Sequence, residues 1–314
     1  MHKYIDKNIA SESWTNTIIF TYVGEKWMEK EIARYKILEW NINQATNRDG
    51  NNVLPEMLIK ELRVQNPDII ILTEFFFCDN AAEFLEEAFL QRNYEFYPTE
   101  ATGYRQNEVL IAWRKDIFKC DTENSHSEIT TRQNNKPNYV RVLLTDRVVN
   151  KNIMVVGVRI TIAKWIPEKL DKKEKRKAYQ EQARLRRKQM EYVYSTLDDY
   201  PNVIIAGDFN NYRRGTDLSN WNINEITCGR TEYNRYTPIG QSIYECEKKD
   251  VDSEFAEDHF ITKGCVMKDF VYDRTFIYWE KHVYCEKMDF RDWEKLKGFP
   301  DHAIIYGDIY FDVD

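Results

Sequence analysis

The sequence predicts an α/β protein, one domain of two β-sheets flanked by helices. Short apolar runs of strand length recur along the chain, and segments of helical period lie between them. No internal repeat, low-complexity tract or Gly/Pro/Ser-rich linker divides the 314 residues, so strands and helices share one body. Apolar residues make up 42% of the chain, enough for a large core, which excludes wholesale disorder.

Tyr35–Asn41 (YKILEWN) reads as a short apolar strand. Leu54, Met57, Leu58 and Leu62 then fall at helical spacing, with Pro55 in the first turn, where a missing N–H costs nothing. Asn66-Pro67-Asp68 stops that helix, and Ile69–Leu72 is a buried strand. Asp79 and Asn80 open a second helix, with Glu83 placed for a capping box and Phe84, Leu85, Ala88 and Phe89 on one face. Val109–Trp113, Tyr139–Thr145 and Ile153–Ile162 are strand-like, the last two joined through Asn150-Lys151-Asn152. A long helix runs from about Lys173 to Leu197, with Met190, Val193, Tyr194 and Leu197 as its buried edge. Val203–Ala206 and Ala303–Ile309 are the last strands. Residues 1–34 read as an extension packed on a main domain of residues 35–314. Within it, Thr17–Val23 fits an extra strand and Lys26–Arg34 a short helix.

Composition excludes several classes. With 45 Lys+Arg against 52 Asp+Glu the net charge is −7, which argues against a generally cationic nucleic-acid coat. Six scattered cysteines without a C-x-x-C pair make neither a zinc framework nor a disulfide scaffold, and fit a reducing compartment. The start, MHKYIDKNIASESW, lacks the apolar stretch of a secretory signal, and the greasiest run, Ile69–Cys78, carries Glu74. The expectation is a soluble, cytoplasmic protein with no membrane attachment and no obligate protein partner.

Polar residues cluster at the ends of the apolar strands. Asn41 and Asn43 follow the first, Glu74 the second, and Gly207-Asp208-Phe209-Asn210 the strand at Val203. Asp258-His259 opens a run, HFIT, able to pair in a sheet, and Asp301-His302 precedes the last strand. Side chains from several strand ends can converge above one sheet edge. Carboxylates, carboxamides and an imidazole suit a hard cation such as Mg²⁺ beside a phosphate.

The ordered set Trp40-Asn41-Ile42-Asn43, Leu72-Thr73-Glu74, Ile204–Asn210, Asp258–Ile261 and Pro300–Ala303 resembles the endonuclease/exonuclease/phosphatase superfamily across residues 35–311. The resemblance implies a four-layer sandwich of two mixed β-sheets flanked by helices, and a catalytic domain over 35–314. It implies Mg²⁺ as cofactor, with Mn²⁺ able to replace it. Glu74 would be the principal metal ligand, with Asn43 and Asp301 near the ion. Asn41 and Asn210 would hold the scissile phosphate and water, Asp208 would orient or deprotonate that water, and His302, held by Asp258, would contact the phosphate.

One position departs from the pattern of the deoxyribonuclease-like relatives, which carry a second histidine where this chain has Arg159, paired with an upstream Glu about where this chain has Asn107. An arginine cannot donate a proton usefully at neutral pH, but it can stabilise a leaving oxyanion or clamp substrate. Lys164–Lys188 holds eleven Lys/Arg against four Asp/Glu, beside that strand. With Arg213, Arg214 and Tyr212, it is a candidate contact for a nucleic-acid backbone and its bases. Trp165 and Trp221 are further stacking candidates. The leading reading is therefore a metal-dependent nuclease of DNA or RNA. A phosphatase or phosphodiesterase for a small phosphorylated molecule or lipid headgroup stands second, and a non-catalytic nucleic-acid-binding protein third.

Overall fold

The computed structural model describes residues 17–23, 26–42, 53–99, 108–128, 136–160, 169–210, 227–228, 258–273, 300, 302 and 304–312. Among them are thirteen strands in two sheets. The first sheet holds β1 (Thr17–Val23), β2 (Lys26–Asn41), β3 (Ile69–Phe75), β4 (Tyr94–Pro98), β5 (Glu108–Arg114), β12 (Val266–Asp273) and β13 (Ile304–Asp312), in the order β12-β13-β2-β3-β5-β4 with β1 paired on β2. The second is ordered β10 (Thr227–Cys228), β11 (Asp258–Lys263), β9 (Val203–Asp208), β8 (Asn152–Arg159), β7 (Asn138–Asp146) and β6 (Phe118–Glu128). Helices α1 (Glu56–Gln65) and α2 (Ala81–Ala88) pack on the outer face of the first sheet, and α3 (Lys172–Ser195) on that of the second. The two mixed sheets and their flanking helices form the four-layer sandwich.

Alternation along the strands sorts the core into three layers. Leu38, Trp40 and Leu72 face outward under α1 and α2. Ala33, Tyr35, Ile37, Ile69, Ile71, Val155, Ile204, Ala206 and Phe260 fill the space between the sheets. Val156, Val158 and Ile205 face α3 through Met190, Val193 and Leu197. The sheets approach closely at Gly157, where a Cβ would stand 2.7 Å from Val109 Cγ1 and 2.9 Å from Ile71 Cγ2.

The structure corrects two local expectations. Lys26–Arg34 is not a helix. It is the outer part of β2, which runs unbroken from Lys26 to Asn41 and pairs with β1 from Thr17↔Ile32 to Val23↔Lys26. Pairing with β1 over residues 26–32 and with β13 from Ile32 onward overrides a local sequence that lacks strand alternation. The capping box at α2 does not form either. Asn80 precedes the helix, but its side chain bridges to Leu54, accepting from the backbone N at 2.7 Å and donating to the carbonyl at 2.9 Å. It ties the entry of α2 to the segment before α1 and leaves its own helix end uncapped.

Candidate active site

Continuing the inter-sheet rows by one or two residues changes apolar side chains into polar ones. Tyr35 and Ile37 lead to Glu39 and Asn41, Ile69 and Ile71 to Thr73, Ala206 to Asp208, and Phe260 to Asp258. β8, with Val155 and Gly157 in the same row, ends on Arg159. Because β2 runs parallel to β3, and β8 to β9, these carboxyl ends lie at one end of the sandwich. Antiparallel β11 begins there, with Asp258 directly opposite Asp208.

Two backbone features aim the key carboxylates. At Glu74 the register of β3 slips against β5, and the residue sits at φ 56°, so this bulge turns its side chain inward while Phe75 stays fully buried. At Gly207 the φ of 149° and a Cβ position 1.8 Å from the Val158 carbonyl oxygen admit only glycine. The turn that follows presents Asp208 and Asn210 together and buries Phe209 under α3.

Asp208 is held from several directions. Its Oδ1 accepts from the Asn210 backbone N at 2.8 Å. Its Oδ2 accepts from Asn210 Nδ2 at 2.9 Å and Asn41 Nδ2 at 3.1 Å. Asn210 Nδ2 also donates to the Ile160 carbonyl at 2.7 Å, which fixes the amide orientation. Burial, reinforced by neighbouring Asp258, pushes the Asp208 carboxyl up to about 7, against the pull of His302 and Arg159. Beside it, His302 Nδ1 lies 2.6 Å from Asp258 Oδ2, and the His302 carbonyl accepts from Trp40 Nε1 at 3.1 Å.

Arg159 brings the two sheets together chemically. Its Nε and Nη2 donate to Glu74 Oε1 at 2.9 and 2.6 Å, and Nε lies 3.9 Å from Asp208 Oδ2. The cation thus sits between Glu74 and Asp208, two of the acids singled out from the sequence. Glu39 is a residue that sequence reasoning passed over. It is fully buried, its Oε1 accepts from Thr73 Oγ1 at 3.0 Å, and its Oε2 has no hydrogen-bond partner among the described residues. Burial and then the nearby Asp258 hold its carboxyl well above the ordinary glutamate range. The period-two row Tyr35, Ile37, Glu39, Asn41 was the signal that placed it inside.

Asn41, Glu74, Arg159, Asp208, Asn210, Asp258 and His302 therefore occupy one edge. Asn43, Asn107, Tyr212, Arg213, Arg214 and Asp301 lie outside the described residues, as do Trp165 and Trp221. Among the described residues no group of three or more His, Cys, Asp or Glu forms a ready-made metal cage. The donors at the edge are nevertheless oxygens from carboxylates and carboxamides. That fits a Mg²⁺-type ion, which is commonly held by one or two carboxylates together with water and substrate phosphate.

A family model described as the endonuclease/exonuclease/phosphatase family matches residues 38–264. The chain belongs to this family. No curated protein matches it in sequence. Solved structures place it with other members of the family in fold. A Bacteroides thetaiotaomicron family protein aligns with TM-score 0.60 at 11% identity, covering 90% of this chain and 99% of that one. D. rerio TDP2, complexed with single-strand DNA product, aligns with TM-score 0.55 at 18% identity, covering 88% and 98%. ANGEL2, described as a 2',3'-cyclic phosphatase, aligns with TM-score 0.55 at 10% identity, covering 88% and 95%. Family membership makes the chain a phosphoesterase of this superfamily. No helix among the described residues is long and apolar enough to cross a membrane.

Proposed function

We propose that the chain is a divalent-metal-dependent nuclease that hydrolyses phosphodiester bonds of nucleic acid by in-line attack of water. The observation that carries this reading is the placement of Asp208. It is a carboxylate raised toward neutrality by burial, with Oδ2 oriented by two carboxamides, Oδ1 by the Asn210 backbone N–H, and the His302–Asp258 pair beside it. A base poised near the working pH is what proton abstraction from water asks for.

In this mechanism Asp208 takes the proton of the attacking water, and Asn41 and Asn210 keep its oxygens pointed at that water. His302, oriented by Asp258, donates to a phosphate oxygen as charge builds there. Neutral carboxamides at the edge bind phosphate without adding repulsion. Glu74, with Asn43 and Asp301, would hold the divalent ion, whose chemistry is to neutralise phosphate charge. Arg159 lies between Glu74 and Asp208, within reach of a leaving oxyanion, which it stabilises as a fixed cation without transferring a proton.

The nucleic-acid substrate is supported by the basic segment beside the β8 strand and by the neighbour solved with a DNA product. A small phosphate ester is the second reading, favoured by the cyclic-phosphatase neighbour. A hydrolysis panel of single- and double-stranded DNA, RNA, abasic duplex and phosphate monoesters, each with Mg²⁺, Mn²⁺ or EDTA, tests both. Metal-dependent cutting of a polymer, lost in Asp208→Asn, is expected. Release of phosphate from small esters alone would replace the nuclease reading with the second, and silence across the panel would overturn both.

A further inference from the structure

Helix α3, 24 residues or about 36 Å long, outreaches the six- to nine-residue strands it packs on. Near its C-terminal end, Tyr192 Oη donates to Glu128 Oε2 at 2.9 Å, and Arg141 Nη1 donates to the Thr196 carbonyl at 2.9 Å. Glu128 pairs with Tyr139, and Tyr139 with Val158, one residue before Arg159. Arg141 pairs with Val156, further from the catalytic edge. The helix therefore crosses the level of the Arg159–Asp208 row close to Tyr192 and runs away from that edge as it ends. Its buried residues, Arg186, Gln189, Met190 and Val193, all lie in the second half. Its first fourteen residues, Lys172–Leu185, include none that is buried, and at 1.5 Å per residue they extend about 21 Å to the catalytic side of that row.

This projecting half is built to stay helical. Asp171 and Glu174 form a reciprocal capping box, with Glu174 N donating to Asp171 Oδ1 at 2.8 Å and Asp171 N to Glu174 Oε2 at 3.1 Å. Its charge is also one-sided. Between Lys172 and Lys188, nine Lys and Arg stand against two Glu, on a chain of net charge −7. Lys173, Arg176, Lys177, Arg184 and Arg187 are all exposed, the last four falling three, four, eleven and fourteen residues after the first, so they share one face over four turns. Arg184 is partly answered by the exposed Glu181, a pairing of small energetic weight.

We propose that this face is a rail for the phosphate backbone of a nucleic-acid strand whose scissile bond lies at the Asp208 edge. The proposal rests on the nuclease reading and adds to it the surface that selects a polymer. A strand carries one phosphate per about 3.4 Å of helix axis, so about 21 Å of helix faces roughly six of them. A lipid surface fits less well, because interfacial helices oppose a cationic face with a broad apolar one. Here the only exposed large hydrophobic residue in the projecting half is Tyr179.

The test is fluorescence anisotropy of a labelled 30-nucleotide single strand, in EDTA, over a salt series. Full-length wild type is compared with the triple variant Lys173→Gln, Arg176→Gln, Lys177→Gln. Glutamine matches lysine and arginine in helix propensity, and circular dichroism checks the fold. The variant should bind at least tenfold more weakly near 0.1 M salt. Its log–log salt slope should be shallower by about 2, at roughly 0.7 for each phosphate that the three cations no longer neutralise. Unchanged affinity and slope, with wild-type cleavage intact, would overturn the rail alone and leave the nuclease reading standing. Wild type that neither binds nor cleaves the strand, yet hydrolyses small phosphate esters, would overturn the nuclease reading and the rail with it. Loss of binding to phosphatidylserine vesicles without loss of oligonucleotide binding would reassign the face to membranes.

Discussion

Asp146 and Asp208 mark opposite ends of the same sandwich. Both are 2% exposed, and both face the space between the sheets. Asp146 Oδ1 accepts from the backbone N of Val148 and Val149 at 2.6 and 2.7 Å, and Oδ2 accepts from the Tyr35 hydroxyl across the core. Two of its three donors come from its own turn, and the third is held in the wall by Phe118 and Phe311. Asp208 takes one bond from its own turn's backbone. Its remaining partners are side chains, Asn41 from the other sheet among them, and an acid stands directly opposite. Asp146 is fixed mainly by its own turn, whereas burial and the facing acid Asp258 raise the proton affinity of Asp208. The same residue type thus serves stability at one end and, in the proposed mechanism, chemistry at the other.

The largest effect should come from Asp208→Asn. Asparagine keeps the volume and loses the base, so turnover should fall about 10³-fold, near 4 kcal/mol in barrier, while the fold survives. The same variant carries a pH signature. In metal-free protein the folded carboxyl titrates near 7 against an ordinary 3.8, so the native state holds a proton that the unfolded chain releases in between. Stability of the wild type should therefore decline as pH rises from about 4 to about 7, and Asp208→Asn should flatten that decline. Chemical denaturation across this range reads it directly. A variant with wild-type turnover would remove Asp208 from the mechanism.

Asp146→Ala should do the opposite. It strands the two part-buried N–H groups of the Val148–Val149 turn and the buried Tyr35 hydroxyl, and should cost about 2 kcal/mol of stability, read as a lower denaturation midpoint. Turnover per folded molecule should stay at the wild-type value. If activity fell instead, the two ends would be coupled, and the division between them would be wrong.

Arg159→Gln should fall between these two in kind. Removing the cation between Glu74 and Asp208 should lower turnover by about 10- to 100-fold, since a fixed charge near a developing oxyanion is typically worth about 1–3 kcal/mol. If KM rises while kcat holds, Arg159 is a substrate clamp and not a transition-state group.

These contrasts also show what sequence could and could not reveal. The convergence of polar residues at one edge was legible because strand ends are rigid and because Asn, Asp, Glu and His are out of place after Ile-Ile-Leu or Ile-Ile-Ala. Family resemblance then supplied roles for them. The pairing of Arg159 with Glu74 was not legible, since the two residues are 85 positions apart and on different sheets. The outer half of β2 escaped notice because its strand character comes from its pairing with β1 and not from its own periodicity. The projection of α3 past the edge emerged only from cross-strand register, though its basic charge was plain in the sequence. Asp146 carried no signal at all, being an ordinary turn aspartate until Tyr35 is folded against it.

Glu39 provides the smallest and finest test of the two-ended picture. It lies one step inside the catalytic row, buried like Asp146, but its hydrogen bond comes from the Thr73 hydroxyl and not from a turn of backbone N–H groups. Its folded carboxyl is raised above the ordinary 4.5, so ionising it costs the native state more than the unfolded chain, and stability falls as pH climbs beyond 4.5. Glu39→Gln keeps an oxygen for the Thr73 hydroxyl and removes the ionisation. It should add on the order of 1 kcal/mol of stability at about pH 8 and nothing at about pH 4. An equal change at both pH values would show that Glu39 acts through packing, and that the acidic character of this end stops at Asp208 and Asp258.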